Sequence, residues 1–193
     1  MTNAVSHVGS HAVSHAVNLA GIHHVAYRCR DAKETVDWYR RVLGMRYVTA
    51  FAEDHVPSTG DYDPYMHVFL DAGGGNVLAF FELPEQPAMG RDPNTPAWVQ
   101  HLALRVPDMA ALLAAKAHIE AEGVAVLGPT FHGVFQSIYF FDPNGHRLEL
   151  AADIGTAAQY AELARVAQPM LDEWSETKRA PRHAEWLHTP PEN

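Results

Sequence analysis

Glu149 lies in an otherwise apolar run, Arg147-Leu148-Glu149-Leu150, of a 193-residue sequence. It alternates with two leucines that should face a core, and a carboxylate in that setting is costly unless something pairs with it. Two histidines offer a pairing. His24-Val25-Ala26-Tyr27-Arg28 with Asp31 matches His101-Leu102-Ala103-Leu104-Arg105 with Asp108, at identical internal spacing. On a strand, His24, Ala26 and Arg28 share one face, as do His101, Ala103 and Arg105. If the two stretches pair with pseudo-symmetry, both imidazoles and Glu149 face one shared cavity. Two imidazoles and a carboxylate form a facial triad, which holds Fe(II) or a similar divalent ion and leaves positions open for substrate and oxygen. One complete site per chain is then expected, without a second copy to build it. His23, pointing the other way by strand alternation, is expected to be structural. Arg28 and Arg105, on the ligand faces, are read as strand-end residues in salt bridges, with binding of a substrate carboxylate as the alternative.

The elements that position these groups form a repeat. Gly21 to Arg30 reads as a strand. Asp31 caps a helix, Glu34 completes a capping box, and Gly44 ends it. Strands follow at Met45 to Phe51, Tyr65 to Asp71 and Val77 to Leu83, with a polar loop over 52–64 and a Gly73-Gly74-Gly75-Asn76 turn. The second copy runs from a strand at Trp98 to Val106 through a helix from Asp108 to Glu122. Strands at Val124 to Leu127, Ser137 to Phe141 and Arg147 to Ala152 complete it. Asp142-Pro143-Asn144-Gly145 has the residue types of a tight turn. Overlaying Asp71 to Phe81 on Phe141 to Ala151 puts Ala79 where Glu149 stands and Asn76 where His146 stands. A unit of about 60 residues cannot close a core alone, so two should pair. The expected fold is α+β: two paired βαβββ modules, at 21–83 and 98–153, around one central metal cavity. A proline-rich linker joins them over 84–97. A C-terminal helix and tail follow over 154–193, with the helix bent at Pro169. Residues 1–20 read as a disordered, His-rich tail in which His7, His11 and His15 recur every four residues.

Composition excludes several classes. The net charge of −9 argues against nucleic acid and anionic membrane surfaces. No apolar run approaches the roughly 18 residues of a membrane span. The N-terminus lacks a basic region followed by an apolar one, so no secretory signal is expected. The single cysteine, Cys29, reads as a buried core thiol and fits a reducing cytoplasm.

The stretch from Thr130 to Glu149 resembles a known motif. A small or β-branched residue precedes a histidine by two, an aliphatic-Tyr pair follows, then Asp-Pro-any-Gly and a glutamate. Here these are Thr130, His132, Ile138-Tyr139, Asp142-Pro143, Gly145 and Glu149. With the repeated modules, the chain resembles the vicinal oxygen chelate superfamily (glyoxalase, bleomycin-resistance and extradiol dioxygenase proteins). It is most similar there to the one-domain type I extradiol ring-cleavage dioxygenases. The resemblance covers about residues 22–152. It implies metal ligands at His24, His101 and Glu149, and roles beside the substrate hydroxyls for His132 and Tyr139. It further implies Fe(II), with Mn, Ni or Zn as other ions, a small aromatic substrate with O2, and the option of a homo-oligomer. Ala79 cannot coordinate, so three ligands are expected. Relatives of the extradiol type carry an acid–base histidine where Asn76 stands, which leaves His67 or His55 to serve instead. Phe131, Phe135, Tyr65 and Phe81 are candidates for the substrate pocket. Metal-dependent isomerisation, epimerisation or thiol transfer, and metal-free binding of a small molecule, are the alternatives.

Overall fold

The computed structural model describes residue 17 and residues 19–180. The His7, His11 and His15 series and residues 181–193 lie outside the described residues. The chain divides into two compact units, one of which is residues 22–154.

In that unit the first module runs β1 (Val25–Cys29), α1 (Ala32–Leu43), β2 (Arg46–His55), β3 (Tyr62–Asp71) and β4 (Val77–Glu82). The second runs β5 (Leu102–Val106), α2 (Met109–Ala121), β6 (Leu127–Phe131), β7 (Phe135–Phe141) and β8 (Arg147–Asp153). Each forms a four-stranded sheet, ordered β1-β4-β3-β2 and β5-β8-β7-β6. The first strand pairs with the last in parallel, and the other pairs are antiparallel. The repeat holds to the residue: Ala79 lies between Ala26 and Phe69, as Glu149 lies between Ala103 and Tyr139.

Local chemistry explains the helices. The Asp31 carboxylate accepts from the Glu34 N–H, and Gly44 ends α1 at φ 65, a left-handed conformation that costs glycine nothing. Asp108 caps α2 through the Ala111 N–H.

Several boundaries differ from expectation, and the strand expected from Gly21 begins only at Val25. The 52–64 loop contracts to a turn at 56–61, because β2 and β3 extend as a hairpin. Pro64 is tolerated within β3 where the register shifts, so no ladder bond is demanded of it. The strand expected from Trp98 begins only at Leu102, since 97–99 form a turn. The strand expected at Val124 to Leu127 lies instead at Leu127–Phe131, with Gly128 and Pro129 absorbed in a register shift. Val124 and Val126 are apolar because they pack on the core from outside the sheet.

The modules share one core on their helix-bearing faces. Val68, Leu70 and Phe80 from the first sheet join Ile138, Phe140 and Leu148 from the second, with Tyr39 and Leu112 from the helices. The Asp142-to-Gly145 turn docks on the first module through hydrogen bonds. Tyr39 Oη donates to Asp142 Oδ2 at 3.1 Å, and Asn144 Nδ2 donates to Thr35 Oγ1 at 3.0 Å. The Arg30 N–H donates to Asn144 Oδ1 at 2.9 Å, and His146 Nε2 donates to the Arg28 carbonyl at 2.7 Å.

In the other unit, α3 (Ala157–Thr177) starts in a full capping box between Thr156 and Gln159. It runs on through Pro169. No helix among the described residues is long and apolar enough to cross a membrane.

Candidate functional site

With residues 138, 140, 148 and 150 turned to the core, alternation puts 137, 139, 147 and 149 on the opposite face of the second sheet. There Glu149 is 3% exposed, and its Oε2 lies 2.8 Å from His101 Nε2. His101 Nδ1 is 3.0 Å from the Val99 carbonyl, which only accepts, so Nδ1 carries the proton. Nε2 then presents a lone pair to a carboxylate oxygen, and two lone-pair donors at this distance require a cation between them. A proton or a metal ion meets the need. Donors in adjacent positions on a divalent ion, each ~2.1 Å from it, stand ~3 Å apart, so the spacing fits a metal. Ser137, fully buried, donates to Glu149 Oε1.

Beside this pair, Tyr139 Oη and His132 Nε2 share a hydrogen bond of 2.8 Å. The Tyr139 phenol is held above its usual pKa, first by burial and then by the Glu149 charge, so it keeps its proton. His132 stacks on Phe135, with ring centroids 4.8 Å apart. Phe131 is in register with Gln136, which puts it on the face away from Glu149. The pocket role expected of it does not fit that placement.

His24 is elsewhere. It lies against the outer face of the first sheet, with ring centroids 5.9 Å from His67 and 5.7 Å from Phe69. Among the described residues, no three His, Cys, Asp or Glu side chains converge closely enough to hold a metal. The expected single cavity shared by His24, His101 and Glu149 therefore does not form within one chain. The modules bury their helix-bearing faces together, which leaves the two ligand-bearing faces apart. Nor does His23 point away from His24: their Nδ1 atoms are 2.7 Å apart. Both residues precede β1, so strand alternation does not govern them.

His67 stacks on Phe81 at 3.5 Å, and Tyr65 meets the same ring edge-on at 5.6 Å. The His67 Nε2 is buried without a hydrogen-bond partner among the described residues. Burial first, and then the neighbouring His24, push its pKa down. Asn76 directs its amide to the Gly73 carbonyl at 3.1 Å, closing its own turn. His55 packs edge-on against Tyr62 in the hairpin. Arg105 pairs with Asp153 at 3.4 Å, whereas Arg28 donates to the Pro87 carbonyl at 2.7 Å rather than to a carboxylate. Cys29 is buried, and burial pushes its thiol up to about 11.

The family model described as Glyoxalase/Bleomycin resistance protein/Dioxygenase superfamily matches residues 21–150. The chain belongs to this superfamily. A Bacillus subtilis (strain 168) relative of the superfamily chain, "Putative ring-cleaving dioxygenase MhqA", is 31% identical over 136 residues. The match covers 69% of this chain and 40% of the relative, so the chain spans about two-fifths of that relative's length. The fold is shared with a glyoxalase/dioxygenase from Nostoc punctiforme, at TM-score 0.54 and 24% identity over 75% of this chain and 99% of that one. It is shared too with the trypanothione-dependent glyoxalase I of Leishmania major, at TM-score 0.52 and 20% identity over 80% and 98%.

Three contributors escaped the sequence reading. Ser137 carried a signal, being a hydroxyl two residues before Tyr139 on the same strand face. Arg147 carried one too, two residues before Glu149. The Val99 carbonyl carried none, because a backbone acceptor leaves no mark in residue type.

Proposed function

We propose that this superfamily member is a metal-dependent dioxygenase that opens a catechol-like ring with O2. The observation that carries the proposal is the His101–Glu149 pair, its nitrogen and oxygen 2.8 Å apart, with the Tyr139–His132 pair beside it. His24 is the third ligand, supplied by a second copy of the chain, so that the homo-oligomer builds the site. An isologous dimer gives two such sites by symmetry. Fe(II) is the ion proposed, and Mn, Ni and Zn accept similar donors.

When bound, the metal supplies Lewis acidity that favours a deprotonated ring hydroxyl and holds the two reactants together. The chain's own residues do the rest. The Val99 carbonyl fixes the His101 tautomer, and Ser137 fixes the orientation of Glu149. Tyr139 holds its proton at Oη and donates a hydrogen bond to a developing oxyanion. His132, bonded to the same oxygen, moves a proton to or from it. Phe135 beside His132, and Tyr65 and Phe81 beside His67, supply aromatic walls. His67, with its free Nε2, takes the acid–base role that the Asn76 amide cannot perform.

Anaerobic loading with Fe(II), followed by oxygen and a panel of catechols, tests this. Oxygen uptake with loss of ring absorbance and a coloured product is expected. No uptake with any catechol by fully loaded protein refutes it. That result, joined to activity with Zn or Ni, favours a glyoxalase-like isomerisation, epimerisation or thiol transfer. The Asn76 side chain, closed on its own turn, is the observation on the side of that second reading.

A further inference from the structure

A cavity of about 520 Å³, within the range that holds small molecules, lies at the Asp142-to-Gly145 end of the second sheet. His101 lines it, and so do two guanidiniums, Arg91 and Arg147. Asp92 is the only carboxylate in the lining. Its oxygens already accept from the Asn94 N–H at 2.9 Å and from Thr95 Oγ1 at 2.5 Å. The cavity wall is thus cationic in a protein whose net charge is −9. A cationic recess on an acidic surface draws anions by local field, against the field of the whole.

Arg147 is pinned but not satisfied. Its guanidinium carbon sits 4.2 Å from the Tyr139 ring centroid, a cation–π contact that holds the plane still. Among the described residues, none of the ion pairs includes Arg147 or Arg91. Arg91 lies 5.1 Å over Phe141 and, among the described residues, its guanidinium reaches only the Gly145 carbonyl, at 3.4 Å. A guanidinium has five N–H donors in a fixed fork, and Arg147 directs none of them to a protein acceptor among the described residues. On β8 it is two residues from Glu149, so it shares that face. His101 immediately precedes β5, whose Leu102 pairs with Leu148, the residue after Arg147.

We propose that Arg147 is the specificity-determining residue of this site and binds a carboxylate of the substrate, with Arg91 as a second cation at the cavity wall. The substrate is then a small aromatic acid rather than a neutral catechol. The ring rests on the function proposed above; the charge does not.

Titration calorimetry under argon on the full chain tests the charge alone. The probes are two isosteric pairs: 3,4-dihydroxybenzoate against 3,4-dihydroxybenzamide, and benzoate against benzamide. The wild type is expected to favour each acid by about tenfold or more, as for a hydrogen-bonded charge pair. Arg147→Gln, with its unfolding midpoint unchanged, is expected to bind acid and amide alike. If Arg147→Gln does not fold, Arg147→Lys decides. It keeps a point charge without the fork, and the preference should fall by about threefold or more. Equal affinities in the wild type, no binding of either acid, or a preference untouched by the substitution overturns the proposal. A clear acid preference without oxygen uptake leaves this inference standing and removes the dioxygenase. Uptake without any preference does the reverse.

Discussion

Tyr39→Phe removes one oxygen atom from the joint between the modules. Tyr39 is 0% exposed and Asp142 5%, and the phenol donates to Asp142 Oδ2 at 3.1 Å. The substitution leaves the ring, so no cavity forms. Asp142 keeps three other donors: the Asn144 N–H at 2.9 Å, the His146 N–H at 2.8 Å and Asn144 Nδ2 at 3.1 Å. A hydrogen bond to a charged group contributes about 1.5–3 kcal/mol, and with three partners left the low end applies, about 1.5 kcal/mol. For a body of this size that lowers the unfolding midpoint by roughly 3–6 °C. Circular dichroism melts check it. The sign with pH follows from the phenol. Burial first, then the Asp142 charge, raise its pKa well above the ordinary phenol value. A raised pKa stabilises fully below the unfolded value and is lost as pH rises through the folded one. Above about pH 10 the unfolded wild type ionises and the Phe variant does not, so the gap between them narrows. An unchanged midpoint at pH 7, or a gap that widens above pH 10, refutes the reasoning.

Mixing purified His24→Ala and Glu149→Ala chains, each inactive alone, should restore activity if a second copy supplies His24. At full exchange about one quarter of wild-type activity is expected, since half of the dimers are mixed and each holds one intact site. No recovery despite proven exchange contradicts the shared site. His132→Gln and Tyr139→Phe should each leave metal content unchanged and lower kcat, by about a hundredfold or more for His132 as the proton carrier. Equal kcat in the His132 variant removes that role.

Much of the fold was legible because it is local. The Asp31 and Asp108 caps, the Gly44 stop and the matched His-any-Ala-any-Arg strands place both modules to within a few residues. The errors fall where proline or glycine is tolerated by a register shift, at Pro64 and at Gly128-Pro129, since a turn signal there marks a bulge instead. The Glu149 puzzle was legible in the sequence, and His101 lies against the carboxylate. The placement of His24 was not legible, because spacing says which residues share a strand face but not which faces two modules bury together. The shared core of Tyr39, Phe80, Phe140 and Leu112 decides that, and it turns the His24 and Glu149 faces apart. Arg147 was read past because a charged residue at a strand start is commonplace; only its lack of an ion-pair or hydrogen-bond partner for the guanidinium among the described residues singles it out.

The central claim is that Glu149 belongs to a metal site. Elemental analysis after equilibration with Fe(II) and removal of free ion, on wild type and Glu149→Ala side by side, tests it most directly. The account predicts about one iron per chain in the wild type, as an isologous dimer with two sites requires, and almost none in the variant. Equal iron in the two proteins would contradict it.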